Sequence, residues 1–352
     1  MDKERAVSFI ENSFLSSLVS NKDITDISFN GQDIYYVSNT RGRCKSKIVI
    51  EHQVAKDFIR QIANITEKQF SFTSPILDTS IGRYRINATH QSVGKIQDEG
   101  VLTFSIRIAS VEEKINKYSD FFSKDIVALI KTLLDNRQSL VIGGLTSSGK
   151  TEFQKFLLKS LRENERVIVI DNVMELDQVR NEYLDLTCWQ VDTNNEYVSA
   201  SSLIRNALRN NPDWLILAEA RGAEMVDVLS SAMTGLPVIT TIHSRDCQSL
   251  PYRMGRMMMQ SPQKIDYKEA LNDIRYHFHY YFYLKKEIKD KKVKRYVSEI
   301  NFVNDYGKVF QIYKRNENEH IYNPLPVEAI KMLEEIDSLK GTKFLKEEKN
   351  EK

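Results

Sequence analysis

Hydrophobic positions along the chain change period several times, and those changes mark out its elements. Over residues 1 to about 20, Val7, Phe9, Ile10, Phe14, Leu15 and Leu18 form one apolar stripe at helical spacing. Short strand-like runs follow at 27–29 and 34–37, flanking Asn30-Gly31-Gln32-Asp33, in which Asn-Gly is a strong hairpin signal. Residues 47–50 offer another strand, 54–63 a helix, and 83–87 and 101–108 two more strands. Together these predict a mixed α/β domain over residues 1–110. Residues 111–120 are polar and charged with little periodic apolar content, which places a linker there.

From Lys124 the pattern changes. Ile126, Val127, Ile130, Leu133 and Leu134 make a helix, after which strands and helices alternate with short connections. That alternation predicts a mainly parallel sheet covered by helices over residues 121–340. Its best strands are 139–142, 167–170, 214–218 and 237–242, and Gly235 could cap the helix carrying Met225, Val226, Leu229 and Met233. After Pro251, Met254, Met257, Met258 and Met259 sit on a helix and read as core or subunit packing. Residues 276–283 alternate like a strand, with Tyr276, Phe278, Tyr280 and Phe282 on one face and His277 and His279 on the other. Two histidines without a third ligand read as sheet surface rather than a metal site. The lysine-rich stretch 285–295 reads as a solvated hairpin turn, with a nucleic-acid patch as the lesser reading. Residues 341–352 read as a charged tail, fraying from about 339.

One stretch of the second half carries chemistry. Residues 144–151 spell Gly-Leu-Thr-Ser-Ser-Gly-Lys-Thr, a complete phosphate-binding loop. Gly144 and Gly149 serve where the backbone takes positive φ or approaches a phosphate closely. Between them Thr146, Ser147 and Ser148 can turn successive N–H groups toward the anion. Lys150 supplies a positive charge and Thr151 a hydroxyl for Mg²⁺. Upstream lies a short apolar run, and downstream Phe153, Phe156, Leu157 and Leu161 fall at helical spacing, so strand, loop and helix arrive in the required order. The helix N-terminus adds partial positive charge where phosphate would sit.

Acidic residues at the ends of neighbouring strands can hold Mg²⁺ and orient a water. Asp171 ends the run 167–170 with Glu175 four residues on, and Glu219 ends the run 214–218. In a doubly wound sheet, ligands gather at the carboxyl ends of strands, where all three fall. His243 ends the run 237–242 at the same edge, in position for a γ-phosphate contact.

Length and charge bound this picture without changing it. At 352 residues the chain suits two domains. Lysine plus arginine number 50 against 48 acidic residues, so a net charge of +2 gives no global field for nucleic acid. Cys44, Cys188 and Cys247 are widely spaced, which fits free thiols in a reducing cytosol. The N-terminus lacks the pattern of a secretory signal, and no uninterrupted apolar run reaches the roughly 18 to 20 residues of a spanning helix. Membrane attachment is therefore expected through partners or surface contact.

Taken together, four ordered stretches resemble the type II/type IV secretion ATPase family. Residues 144–151 resemble its Walker A motif, 171–176 its aspartate box, 208–221 its Walker B region and 240–243 its histidine box. The stretches 26–31 and 104–107 are similar to the amino-terminal domain of the type IV secretion and tight-adherence pilus branches. The resemblance implies a RecA-like P-loop NTPase domain behind a mixed α/β domain. It implies a hexameric cytoplasmic ring that couples ATP hydrolysis, with Mg²⁺, to secretion, pilus assembly or conjugative transfer at an inner-membrane machine. By the same resemblance Lys150 and Thr151 bind phosphates and Mg²⁺, and Glu219 polarises the attacking water. Asp171 and Glu175 support metal and water, His243 senses the γ-phosphate, and Arg107 and Arg221 contact the nucleotide. Direct nucleic-acid binding is not expected. The chain departs from the pattern at Asp171-Asn172, where the family usually has Glu-Asp, and at Ala218, where Walker B usually has glycine. It also lacks the cysteine pairs of the zinc-binding type II branch. A DNA translocase or helicase motor on a related core is the rival reading, and a ring that binds nucleotide without hydrolysing it is a third.

Overall fold

The computed structural model describes residues 3–109, 121–180, 185–192, 195–289, 292–316 and 319–345. The expected linker, 111–120, and residues 346–352 of the expected tail lie outside the described residues. The fold is mixed α/β and divides into two compact units, Met1–Glu113 with Glu287–Lys294, and Lys114–Lys286 with Arg295–Lys352.

In the first unit, helices α1 (Lys3–Glu11), α2 (Ser16–Val19) and α3 (His52–Ile65) share a core with an antiparallel sheet. Its strands are β1 (Ile24–Phe29), β2 (Ile34–Ser38), β3 (Gly42–Lys45), β4 (Ile76–Ile81) and β5 (Tyr84–Thr89). A small ribbon of β6 (Lys95–Ile96) and β7 (Glu99–Gly100) precedes β8 (Thr103–Ile108), and the six-stranded order is β3-β2-β1-β8-β5-β4. Ile10, Leu15, Phe58, Ile59 and Ile62 bury against Ile27, Phe29, Ile86 and Ile106. The Asn-Gly signal between β1 and β2 works as expected. Asn30 Oδ1 accepts from the Gln32 and Asp33 amides at 2.9 and 2.7 Å, and Gly31 takes φ +99°. The third strand is Gly42–Lys45 rather than 47–50. Ser38 Oγ accepts the Thr40 and Arg41 amides at 3.2 and 2.9 Å, closing a tighter turn that brings Gly42 opposite Ser38.

The second unit begins with α4 (Lys124–Asp135), β9 (Leu140–Gly144), α5 (Lys150–Lys159), β10 (Arg166–Asp171) and β11 (Asp185–Gln190). Next come α6 (Ala200–Ala207), β12 (Trp214–Ala220), α7 (Met225–Met233), β13 (Val238–His243), α8 (Leu250–Met258) and α9 (Tyr267–His277). It closes with β14 (Tyr280–Lys289), β15 (Lys292–Val303), β16 (Val309–Asn316), β17 (Glu319–Tyr322) and α10 (Val327–Lys331). The sheet order is β11-β10-β12-β13-β9-β14-β15-β16-β17, and every pairing from β11 to β14 is parallel. Val167 and Val169 bury in one core with α4 and α5, while Ile168 and Ile170 bury in another with α6 to α9. Burial on both faces explains why these strands read as continuous apolar runs rather than alternating ones.

Two further segments differ from the sequence expectation. Residues 276–277 end α9 instead of opening a strand. Asp266 accepts the Lys268 and Glu269 amides at 2.8 and 3.0 Å and starts a helix whose Ala270, Leu271 and Ile274 bury at helical spacing. The apparent alternation joins its last turn to the first residues of β14, and His279 is buried with Nδ1 2.9 Å from the Val303 carbonyl oxygen. The chain also stays packed past 339. Leu339 and Phe344 are buried, and the Leu325 amide donates to the Phe344 carbonyl at 2.8 Å, so two apolar anchors hold the described part of a charged segment. No helix among the described residues is long and apolar enough to cross a membrane.

Candidate nucleotide site

β9 carries the chain into the loop at Gly144, and α5 leaves it at Lys150. Gly149 takes φ +100°, a conformation glycine enters without a steric cost, and a Cβ there would stand 3.0 Å from the Phe121 ring. A Cβ at Gly144 would run into Ser148 Oγ and approach the Leu284 carbonyl oxygen to 2.8 Å. Ser147 adopts φ +61° although it carries a side chain. Thr146 is exposed and Thr151, second in α5, is half-buried. Ser148 Oγ is buried without a hydrogen-bond partner among the described residues. A buried hydroxyl in need of a partner, glycines that a Cβ would foul and the first N–H groups of a ten-residue helix fit a bound phosphate chain.

The parallel register sets His243 of β13 beside Gly144 of β9. Its imidazole bridges the loop to the next strand. Nδ1 lies 3.3 Å from Lys150 Nζ, and Nε2 lies 2.9 Å from Glu219 Oε1 on β12. The ammonium can only donate and the carboxylate only accept, so Nδ1 accepts and Nε2–H donates. Lys150 also donates to the carbonyls of Gly144 at 2.9 Å and Leu145 at 3.1 Å. Glu219 receives a second donor from Arg221 Nη2, 2.7 Å from Oε2. The amides of Arg221 and Gly222 both donate to Glu224, which turns the chain after β12 and brings the guanidinium back onto Glu219.

Burial pushes the Glu219 carboxyl up, but hydrogen bonds from His243 and Arg221 outweigh it and hold the group at about 2. The carboxylate is therefore fully ionised near neutrality. It is suited to orient a water and is a poor store for a proton.

Asp171, at the end of β10, is placed otherwise. Oδ1 accepts the Val173 amide at 3.0 Å, and Oδ2 accepts those of Glu175 at 2.9 Å and Leu176 at 3.4 Å. Its carboxylate thus closes the turn leaving the strand, and Glu175 follows on that turn, half-buried. Among the described residues no group of three or more His, Cys, Asp or Glu side chains is arranged to hold a metal ion. Thr151 and Glu219 are oxygen donors of the kind Mg²⁺ takes alongside phosphate oxygens. Arg107 belongs to the first unit, exposed on β8 opposite Asp26 and Arg85. Nearby, Arg83 donates to Glu11 at 3.0 Å and Arg85 to Asp78 at 3.3 Å.

Residues 102–274, from β8 through most of α9, match the family model for type II/IV secretion system proteins. Over these residues the chain belongs to this family. An uncharacterized protein of Bacillus anthracis is 30% identical over 293 residues, covering 79% of this chain and 64% of that relative. VirB11 of the Brucella suis type IV secretion system is 30% identical over 143 residues, or 40% of each chain. The chain spans less than two thirds of the length of either relative. The fold is like that of the Legionella pneumophila ATPase DotB, with a TM-score of 0.60, 18% identity, and 83% of this chain and 79% of that one covered.

In this family member two residues at the loop escaped the sequence reading. Arg295 Nε donates to the Ser147 carbonyl at 2.9 Å, from a stretch read as a solvated turn. The signal was the buried pair Tyr296-Val297, which brings β15 into the sheet at that point. Gln154, buried on α5, donates to the Leu217 carbonyl at 3.2 Å and ties the loop helix to β12. A single polar residue on an apolar helix face leaves no motif.

Proposed function

We propose that this chain is the ATPase motor subunit of a type IV secretion, pilus or conjugation machine, with a RecA-like P-loop domain at 121–340 behind an N-terminal domain at 1–110. The observation that carries this reading is the bridge of His243 between Lys150 of the phosphate loop and Glu219 of the neighbouring strand. It brings a cation for phosphate, an ionised carboxylate for water and a reporter between them to one sheet edge.

On binding ATP, Lys150 exchanges the Gly144 and Leu145 carbonyls for β- and γ-phosphoryl oxygens, while the loop amides and the start of α5 hold the remaining phosphate charge. Thr151 and Glu219 are the residues that would hold Mg²⁺ with the phosphates, and the cation would neutralise charge developing on the phosphoryl oxygens. Glu219 accepts a hydrogen bond from the attacking water and points its oxygen at the γ-phosphorus. The new P–O bond forms as the bond to the bridging oxygen breaks, ADP leaves with that electron pair, and the water's proton departs on phosphate or to solvent. His243, released from Lys150, senses the γ-phosphoryl group through a ring N–H, since a phosphoryl oxygen can only accept. Arg221 balances Glu219, and Arg107 contacts the nucleotide as the family resemblance implies. Glu175 supports the water from the turn that Asp171 holds. We place the protein in a homohexameric ring at the cytoplasmic face of the membrane, attached through inner-membrane partners.

Phosphate release by the purified chain with ATP and Mg²⁺ tests the reading. Lys150→Ala should abolish turnover and weaken ATP binding, because no other side-chain cation stands in the loop sequence 144–151. Normal turnover in that variant would overturn the site.

A further inference from the structure

Arg295 touches the phosphate loop from the strand on the far side of β14, and nothing in the loop motif accounts for it. Its Nε–H donates to the Ser147 carbonyl oxygen at 2.9 Å, and its Cδ lies 3.5 Å from where a Cβ on Gly149 would be. The stem therefore runs along the back of the two residues that take left-handed conformations, Ser147 at φ +61° and Gly149 at φ +100°. Phe121 covers Gly149 with its ring. Ser147 is the unusual member, because an L side chain rarely adopts that φ and a neighbour must fix it. A peptide unit has one orientation, so holding the Ser147 carbonyl on the guanidinium also fixes the Ser148 N–H on the same plane, and that N–H closes the loop's own turn by donating to the Leu145 carbonyl at 3.2 Å.

We propose that Arg295 is a positioning residue that holds the phosphate loop in its anion-receiving turn by gripping the Ser147 carbonyl. The inference rests on the nucleotide reading of the loop. It acts through backbone geometry rather than through charge on the phosphate. A loop held this way grips phosphate equally in the bound and transition states, so its loss raises KM and leaves kcat little changed.

The test compares Arg295→Ala, Arg295→Lys and Lys150→Ala in the full chain, reading equilibrium binding of a fluorescent ATP analogue with Mg²⁺, steady-state kinetics and thermal midpoint. Arg295→Ala should bind about tenfold more weakly, the loss expected of one charge-assisted hydrogen bond, with kcat within about twofold. Arg295→Lys should show the same loss, because lysine keeps the charge but has no donor at the Nε position. Affinity unchanged in Arg295→Ala while Lys150→Ala abolishes binding would overturn the role of Arg295 and leave the nucleotide site standing. Full affinity in Arg295→Lys would also overturn it, since charge alone would then suffice. Binding unaffected by Lys150→Ala would remove the nucleotide reading itself, and the inference with it. If Arg295→Ala does not fold, the lysine variant carries the test by the same two outcomes.

Discussion

His243 donates through Nε2 to Oε1 of Glu219 at 2.9 Å. The ring's other nitrogen faces Lys150 at 3.3 Å, so one side chain on β13 holds the Lys150 ammonium and the Glu219 carboxylate in fixed relation. Removing it leaves both groups present but uncoordinated. His243→Ala should therefore lower turnover by about 10- to 100-fold, the range for losing a hydrogen bond to a charged partner. ATP affinity should change much less, because Lys150 and the loop amides remain. The comparison of kcat with KM decides it, and a variant with raised KM and normal kcat would make His243 a binding residue only.

Glu219→Gln should bind Mg²⁺-ATP and turn over at least about a hundredfold more slowly, since the amide keeps the shape and loses the charge that orients water. The same substitution has a pH signature. The Glu219 carboxyl titrates at about 2 in the fold against 4.5 for the free group, so the folded state favours its ionised form. That contribution, about 3 kcal/mol, is present in full above pH 4.5 and is lost as pH falls toward 2. The gap in urea midpoint between wild type and variant should thus stay constant from pH 7 to about pH 5 and narrow below it. A gap independent of pH down to pH 3 would mean that the ionised carboxylate contributes no stability.

Much of this site can be read from the chain, because a phosphate loop is a local motif. Gly144, Gly149, Lys150 and Thr151 act within eight residues of one another, and strand-end carboxylates follow from continuous apolar runs. The bridge through His243 needs the register of β13 on β9, which no local pattern encodes. Arg295 reaches the loop across 148 residues of sequence, and its strand hides because the lysine-rich sequence 285–295 masks the apolar start at Tyr296 and Val297. The start of β14 was blurred for a related reason. Aromatic residues suit both the last turn of α9 and a strand buried on both faces, and only the Asp266 cap distinguishes them.

Asp171 supplies a prediction that separates structure from chemistry. Its carboxylate accepts three backbone amides in the turn after β10, and those bonds need oxygen acceptors rather than a metal. Asp171→Ala should cost about 2 kcal/mol and lower the thermal midpoint by roughly 4 to 8 °C. The Mg²⁺ concentration for half-maximal turnover should stay where it is in the wild type. An unchanged midpoint together with a raised Mg²⁺ requirement would return Asp171 to the metal.

Assembly is the last expectation, and it follows from the kind of contact a ring uses. A face that binds a different face on the next copy repeats until the rotation closes or a filament grows, so a closed ring requires one fixed rotation per subunit. The family resemblance sets that rotation at six copies. If each site is completed only when a neighbouring subunit is in place, turnover per chain should rise steeply with protein concentration and level off once rings are full. Mass measured in solution with and without Mg²⁺-ATP should move from smaller species to hexamer over the same concentration range. A chain that stays monomeric at high concentration and saturating nucleotide, yet turns over at full rate, would show that the site in the second unit works alone and that the ring serves transport rather than hydrolysis.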